Sequence, residues 1–215
     1  MHDPALPVIL DETATALLEL GAATLGESGA RPMRNRVAAV WPGARLAAPA
    51  YPVTCTPGDN LAIHVGLARA PAGAALVVNV GDRREHGYWG EVLTTAAEAR
   101  GVAGLVIDGC VRDVVALQAH GFPVFSTGVA LPGATKHQAG TVGQVTTVGD
   151  VEVAPGDWVV GDADGVVVVP GGALAGVLGA GRTRADREAG YFTALRDGAT
   201  TVDLLGLDPS PVDGP

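Results

Sequence analysis

Glu91, Arg112 and Asp113 are the residues whose types and spacing point most directly to chemistry in this chain. They stand at the two ends of the segment from Gly90 to Asp113, GEVLTTAAEARGVAGLVIDGCVRD, with twenty residues between the first carboxylate and the Arg-Asp pair. Between them lie an amphipathic helical run (Val92, Leu93, Ala96, Ala97, Ala99), a Gly101 stop and an apolar strand from Val102 to Ile107. Such a unit goes along a helix and returns along a strand, so its two ends can meet at one rim. Asp and Glu are hard oxygen ligands of the kind Mg²⁺ or Mn²⁺ prefers, and an Arg fork matches a carboxylate at two points. The set suits a metal-assisted site for a small anion. A salt-bridge cluster at element ends would use the same residue types.

Other chemistries find less support. His64, His86, His120 and His137 show no i, i+4 pairing, and no HExxH or Cys/His cluster accompanies them, which argues against zinc. His86 sits in the polar loop before Trp89, close in sequence to Glu91, and reads as a substrate contact or a solvated loop residue. Ser28 and Ser126 lack a neighbouring base or a G-x-S-x-G elbow, so a serine hydrolase is disfavoured. With 31 glycines, accidental patterns come easily. Gly161-Asp162-Ala163-Asp164-Gly165 holds part of a calcium loop, lacks the remaining ligand positions, and reads as a tight β-turn. There is no GxGxxG after a strand and no P-loop, so no nucleotide cofactor is implied. Cys55 and Cys110 lie in apolar strand-like surroundings without C-x-x-C spacing and read as buried free thiols rather than a disulfide.

These residues need elements to position them. Asp11 to Leu20 reads as a first helix ending at Gly21. Strands are expected at Arg45 to Ala50 and Tyr51 to Cys55, then a helix from Leu61 to Ala68 opened by Asp59-Asn60, and a buried strand from Ala75 to Val80. After the Gly90 to Asp113 unit come a helix from Asp113 to His120 and a strand from Pro123 to Ser126. This alternation implies a mostly parallel sheet covered by helices. Val142 to Val153 and Trp158 to Val169 are β-rich, with turns at 148–150 and 155–157, and are expected to form a second sheet packed on the first. A last long helix runs from Gly172 through Arg196. It becomes charge-rich and has no obvious face to bury, so it is expected to lie across a neighbouring subunit. Residues 208–215 read as a frayed tail.

Composition bounds the answer. A chain of 215 residues, 47% hydrophobic and 17% charged, fits one large domain with a substantial core and excludes a disordered polyelectrolyte. A net charge of −9 without any Lys/Arg run argues against nucleic acid as a direct partner. No basic and apolar leader opens the sequence, and no apolar run approaches the ~20 residues of a membrane helix, so a cytoplasmic location is expected.

The blocks PGDN, WGE, VIDGCVRD, GFPVFSTG and PGDWVVGDADGVVVVP, between Pro57 and Pro170, resemble the RraA-like family. Its members include class II 4-hydroxy-4-methyl-2-oxoglutarate and 4-carboxy-4-hydroxy-2-oxoadipate aldolases, and also proteins named as regulators of ribonuclease activity. Those aldolases carry an acidic residue, twenty intervening residues and then Arg-Asp. Glu91 and Arg112-Asp113 match that pattern, with Glu where the best-described aldolases have Asp. The resemblance implies an α/β fold: a three-layer β/β/α sandwich of the swivelling-domain type, one domain over 1–207, assembled as a trimer or a pair of trimers. It implies Mg²⁺ or Mn²⁺ as cofactor, with Asp113 as direct ligand, Glu91 acting through metal-held water, and Glu188 of an adjacent subunit as a further acidic contact. Arg112 would grip the substrate and polarise its oxygen, and the N–H groups of Val92 and Leu93 would receive a carboxylate.

By the same residue-wise comparison, Asn60 and Lys136 line the pocket, with Lys136 open to arriving from elsewhere in the assembly. Taken alone, Asn60 would be a helix cap and Lys136 a solvated charge. A Schiff-base aldolase is disfavoured, because Lys136, the only lysine, sits in a Gly/Pro-rich loop rather than an apolar strand. The activity implied is cleavage of 4-hydroxy-4-methyl-2-oxoglutarate-type 2-oxo acids to pyruvate, with oxaloacetate decarboxylation alongside. The alternative is a protein-binding inhibitor of an RNA-degrading enzyme, as in family members that lack the Arg-Asp pattern.

Overall fold

The computed structural model describes residues 12–34 and 36–213. The chain opens with helix α1 (Glu12–Gly26), the short strands β1 (Arg31–Pro32) and β2 (Ala38–Ala39), and the long strand β3 (Leu46–Cys55). Three helix-strand units follow. They are α2 (Leu61–Arg69) with β4 (Ala75–Asn79), α3 (Glu91–Ala99) with β5 (Gly104–Asp108) and β6 (Cys110–Val111), and α4 (Val114–His120) with β7 (Val124–Ser126) and β8 (Gly128–Val129). The second half holds β9 (Gly140–Val142), β10 (Thr146–Val148), β11 (Val151–Val153), β12 (Trp158–Asp162) and β13 (Gly165–Val169). A 3₁₀ turn at Gly171–Ala173 leads into α5 (Leu174–Arg196), α6 (Thr201–Leu205) and α7 (Ser210–Asp213). Gly214 and Pro215 of the expected tail, like Asp11 at the expected start of the first helix, lie outside the described residues.

The main sheet runs in the order β1-β13-β12-β3-β4-β5-β7-β2, with β9 also on β3. β3, β4, β5 and β7 are mutually parallel, and the other pairings in this sheet are antiparallel. Both faces of β4 and β5 are covered, which is why these strands are continuously apolar. Leu76, Val78, Leu105 and Ile107 face α2, α3 and α4 together with Ile63, Leu67 and Ala97. Ala75, Val77 and Val106 point the other way, toward Phe125, Val148, Val159 and Val168. A third cluster seats Leu17 and Leu25 of α1 and Val177 of α5 against Val160 and Val167.

The expected second sheet is separate only at β10 and β11, which form a two-stranded antiparallel pair, while β12 and β13 belong to the main sheet. β3 pairs with β12 through residues 46–49 and with β4 through 50–54, so one long strand belongs to both halves and the sheet curls. The two strands expected at 45–50 and 51–55 are therefore one; Pro49 and Pro52 fit extended backbone and only remove donors. The curl brings β2 against β12 and β13. At the crossing, a Cβ on Gly161 would lie 2.7 Å from the Phe125 ring, so only glycine lets the halves close this tightly. Two β layers with α2, α3 and α4 on one side give the three-layer β/β/α arrangement, and α1 and α5 cover the outer face of the other β layer.

The first helix also departs from expectation by continuing past Gly21. That residue is non-helical (φ 76°), but the Ala22 N–H donates to Asp162 Oδ2 at 2.7 Å, which restarts the helix and buries Ala22 and Leu25. The other carboxylate oxygen of Asp162 accepts from Asp164 N at 3.0 Å, as the tight turn at 161–165 requires. Cys55 and Cys110 are both free and buried. Among the described residues no helix is long and apolar enough to cross a membrane.

Candidate active site

The loops that leave the carboxyl ends of parallel strands are where an open α/β sheet forms its crevice. Here these are residues 56–60 after β3, 80–90 after β4, 109–113 after β5 and 127–139 after β7. Isolated bridges join Asp59 to Thr135 and Gly87 to Gly133, and β6 pairs with β8, so the four loops are laced into one rim. Glu91, Arg112, Asp113, Asn60 and Lys136 all stand on it.

Asp113 is the pivot. It occupies the position before the first turn of α4 in the left-handed region (φ 59°), a conformation few non-glycine residues adopt. Asp113 Oδ2 accepts the Glu91 N–H at 3.0 Å, closing the loop between the start of α3 and the start of α4. The Arg112 N–H donates to Trp89 O at 2.9 Å. Trp89 is itself fully buried and anchored by its Nε1–H to Thr94 Oγ1 at 2.7 Å. A side chain at Gly90 would collide with Asp113 Oδ2, and one at Gly87 would meet Ala130 O at 2.7 Å and Arg112 Cδ at 3.0 Å. Bare backbone at 87 and 90 is therefore what lets the Arg112 and Asp113 side chains lie across it. Arg112 Nε is 3.8 Å from Asp113 Oδ2, and among the described residues its Nη atoms take no other ion-pair partner.

The start of α3 contributes donors. Its first helical-type bond runs from Thr94 N to Gly90 O at 3.1 Å, so the amides of Val92 and Leu93 have no acceptor within the helix. The Glu91 carboxylate is exposed and lies 3.7 Å from His120 Nε2, while His120 Nδ1 is 2.8 Å from Glu98 Oε2. The side chain it stands beside is thus a histidine of α4.

Asn60 does not cap α2 with its side chain. Its Nδ2 donates to Tyr88 O at 2.8 Å, and the capping role falls to Asp59, whose Oδ1 accepts from Leu61 N at 2.8 Å. The Asp59 Oδ2 takes Thr135 Oγ1–H at 2.7 Å, His137 N–H at 2.7 Å and Gln138 N–H at 3.2 Å. Burial alone would raise this carboxyl; the His137, Leu61, Thr135 and Gln138 donors together hold it at about 2. These bonds pin the segment carrying Lys136 to the same chain's 58–60 loop, so the lysine reaches this rim from its own subunit. Lys136 is exposed, with Nζ 3.4 Å from Ala134 O. His86 is only partly solvated: its ring lies 5.7 Å from that of Tyr88 and its Nδ1 is buried.

Glu188 is placed elsewhere within the chain. It pairs with Arg184 at 2.8 Å on α5, and Arg184 pairs in turn with Glu27 of α1. Among the described residues no group of three or more His, Cys, Asp or Glu could share a metal ion. The rim still fits a hard divalent cation of the kind that keeps most of its waters, because among the described residues Asp113 Oδ1 takes no hydrogen bond, and the exposed Glu91 carboxylate belongs to the residue whose N–H Asp113 Oδ2 holds.

Three residues of this region escape sequence reasoning: Asp59, His64 and Asp108. Asp108, at the end of β5, is buried and accepts both Arg36 (3.0 and 2.8 Å) and Arg84 (2.8 Å). Lone carboxylates and a lone histidine carry no spacing signal; only the turn dipeptide Asp59-Asn60 before a helix hinted at the first.

A family model described as Aldolase/RraA matches residues 8–168. A Halalkalibacterium halodurans protein whose name proposes a 4-hydroxy-4-methyl-2-oxoglutarate aldolase is 35% identical over 146 residues, 67% of this chain and 70% of that protein. Among solved structures, an uncharacterized protein from Pseudomonas syringae pv. tomato superposes with a TM-score of 0.81 at 27% identity, over 95% of this chain and 97% of that one. Streptomyces coelicolor RraAS2, described as an unusual member of the RNase ES inhibitor RraA protein family, superposes with a TM-score of 0.73 at 26% identity, over 87% of this chain and 98% of that one.

Proposed function

Because this chain belongs to the RraA-like family, we propose that it is a divalent-metal-dependent class II aldolase that cleaves 4-hydroxy-4-methyl-2-oxoglutarate-type 2-oxo acids to pyruvate and also decarboxylates oxaloacetate. The observation that carries this reading is the Asp113 Oδ2 to Glu91 N–H bond of 3.0 Å, which joins the two ends of the twenty-residue spacing at one rim. Asp113, through its free oxygen, and Glu91, through water, would hold Mg²⁺ or Mn²⁺. Bound there, the cation supplies Lewis-acid stabilisation for negative charge growing on the 2-oxo oxygen. Arg112 offers its unpaired fork to that end of the substrate, and the amides of Val92 and Leu93 receive the carboxylate. Asn60 and Lys136 line the far wall. The bond between the carbon next to the 2-oxo group and the hydroxyl-bearing carbon breaks, its electron pair stays on the former, the hydroxyl proton passes to water as the second carbonyl forms, and water returns a proton to the carbon that becomes the pyruvate methyl. Oxaloacetate decarboxylation leaves the same electron pair on the same carbon.

The test is pyruvate release from 4-hydroxy-4-methyl-2-oxoglutarate and from oxaloacetate. EDTA should abolish it and Mg²⁺ or Mn²⁺ should restore it; undiminished turnover after chelation would overturn the metal-dependent reading. A second reading, a protein-binding inhibitor of an RNA-degrading enzyme, draws on the description of the Streptomyces neighbour and on Phe192, Leu205 and Leu207, which stay exposed on and after the C-terminal helices. Inactivity on both 2-oxo acids in the presence of metal would favour it.

A further inference from the structure

The end of the sheet opposite the rim carries an open groove of about 510 Å³. It is lined by β3 between Ala47 and Tyr51, by Trp158 of β12, by the turns at 71–74 and 155–156, and by Ala14 of α1. Pro49, Pro71 and Pro155 stand among these residues, so the lining is apolar and poor in backbone donors. Trp158 is partly exposed there, and among the described residues its indole N–H finds no acceptor. The other two tryptophans do find one: Trp41 donates to Phe122 O at 3.0 Å and Trp89 to Thr94 Oγ1 at 2.7 Å. An apolar groove that presents an aromatic ring with its polar tip open suits an extended, proline-containing segment. The pyrrolidine rings pack on the aromatic face, and the N–H donates to a carbonyl of a backbone that has no internal hydrogen bonds.

The chain itself supplies such a segment at the edge of the groove. Ala14 lies in the first turn of α1, which begins at Glu12, and the residues before that helix read MHDPALPVILD. From Pro4 to Leu10 they are apolar without interruption, bounded by Asp3 on one side and Asp11 on the other, and Pro4-Ala5-Leu6-Pro7 has PxxP spacing. Pro4 and Pro7 also precede residue 8, where the match to the family model begins. Seven residues at about 3.1 Å each reach roughly 20 Å, long enough to cross a groove of this size. We propose that Pro4–Leu10 of the same chain docks in this groove, with its prolines against the Trp158 ring and one of its carbonyls accepting the indole N–H. The two prolines leave no N–H to strand on an apolar surface, and they reduce the entropy lost when the segment is ordered. Docked there, the segment ties the start of α1 to the 71–74 turn that leads into β4. Nothing in this arrangement depends on the chemistry at the rim.

Two experiments on the full chain test it. In the first, a photoreactive benzophenone amino acid replaces Leu6, and isotope-labelled and unlabelled protein are mixed, irradiated and mapped by mass spectrometry. Crosslinks within one chain to the peptides carrying Tyr51, the 71–74 turn or Trp158 are expected. Crosslinks between copies, crosslinks to other surfaces, or none at all each overturn the proposal. In the second, a labelled peptide of residues 1–11 is titrated by fluorescence anisotropy into the wild type and into a full-length Leu6→Asp, Ile9→Asp variant, whose own segment is too polar to stay docked. The variant, its groove vacated, should bind the peptide about tenfold or more tightly than the wild type does. Adding Ala72→Asp, at an exposed residue of the groove, should remove about tenfold or more of that binding. Adding Trp158→Phe, which keeps a ring and deletes the N–H, should weaken it by about two- to tenfold, the scale of one hydrogen bond. Circular dichroism and thermal melts establish that the variants are folded. Equal binding to wild type and variant, or binding indifferent to Ala72→Asp, would show that the segment does not belong in the groove.

Discussion

At Gly90 the absence of a side chain decides where a carboxylate can stand. The backbone there is extended (φ −163°) and open to any residue, so the requirement comes from the space taken by the Asp113 carboxylate and, behind it, by Arg112 Cγ. Gly90→Ala should fold, because the added methyl can be relieved by turning the Asp113 side chain or shifting the start of α3. Either movement breaks the bond to Glu91 N–H and displaces the carboxylate proposed to hold the metal. A misplacement near 1 Å at reacting groups costs roughly a hundredfold in rate, and a fall of that order in kcat/KM for pyruvate release, with a thermal midpoint close to wild type, is the expected result. Unchanged kcat/KM would return the Gly90 to Asp113 contact to simple packing. Chemistry at this scale was legible from sequence where residues came in a spaced set, as Glu91 and Arg112-Asp113 do. Asp59 and His64 were not, because a single polar residue acquires meaning only from the groups folding brings around it.

Among the elements, β5 ends in a clasp that supports the rim from beneath. Asp108 gathers Arg36, which precedes β2, and Arg84, from the loop that leads into α3, and so fixes one wall of the site to the far edge of the sheet. Burial pushes the Asp108 carboxyl up, but the Arg36 and Arg84 hydrogen bonds and charges outweigh it and hold the group at about 2 against an ordinary 3.8. A carboxyl held low when folded stabilises the protein fully above its unfolded value and loses that contribution as pH falls through the folded one, here between about pH 4 and pH 2. Asp108→Asn should cost roughly 1–3 kcal/mol at pH 7, the lower part of the range for an interrupted ion pair because both arginines are partly solvated. The gap should close toward pH 2. Urea unfolding at pH 7 and pH 3 measures both, and a gap that does not narrow would show that the charge is not what Asp108 contributes. The helices and parallel strands framing this clasp were readable as period and apolar runs. The curl was not, since nothing in LAAPAYPVTC says that one half pairs with β12 and the other with β4.

For the whole molecule, the unresolved burden is the C-terminal helix pair. α5 buries only Val177 and Gly181, both in its first half, and beyond them Phe192, Leu205 and Leu207 are each more than half exposed. A helix this long with so little to cover within its own chain is expected to cover something in another, and the carboxylate it would carry there is Glu188, whose ion pair among the described residues is with Arg184. If Glu188 completes the Asp113 site of a neighbouring copy, Asp113→Ala and Glu188→Ala should each be inactive alone and complement one another when unfolded together and reassembled. In a cyclic assembly with random equal mixing, each site draws Asp113 from one chain and Glu188 from the next, so about a quarter of sites recover both groups. Were both residues to serve the same subunit, no mixture could recover any, because every chain would lack one of them. Activity near a quarter of wild type in mixed assemblies verified by mass would therefore establish a shared site. Mixed assemblies with no activity would leave Glu188 as the surface partner of Arg184 and reduce the acidic set at the rim to Asp113 and Glu91.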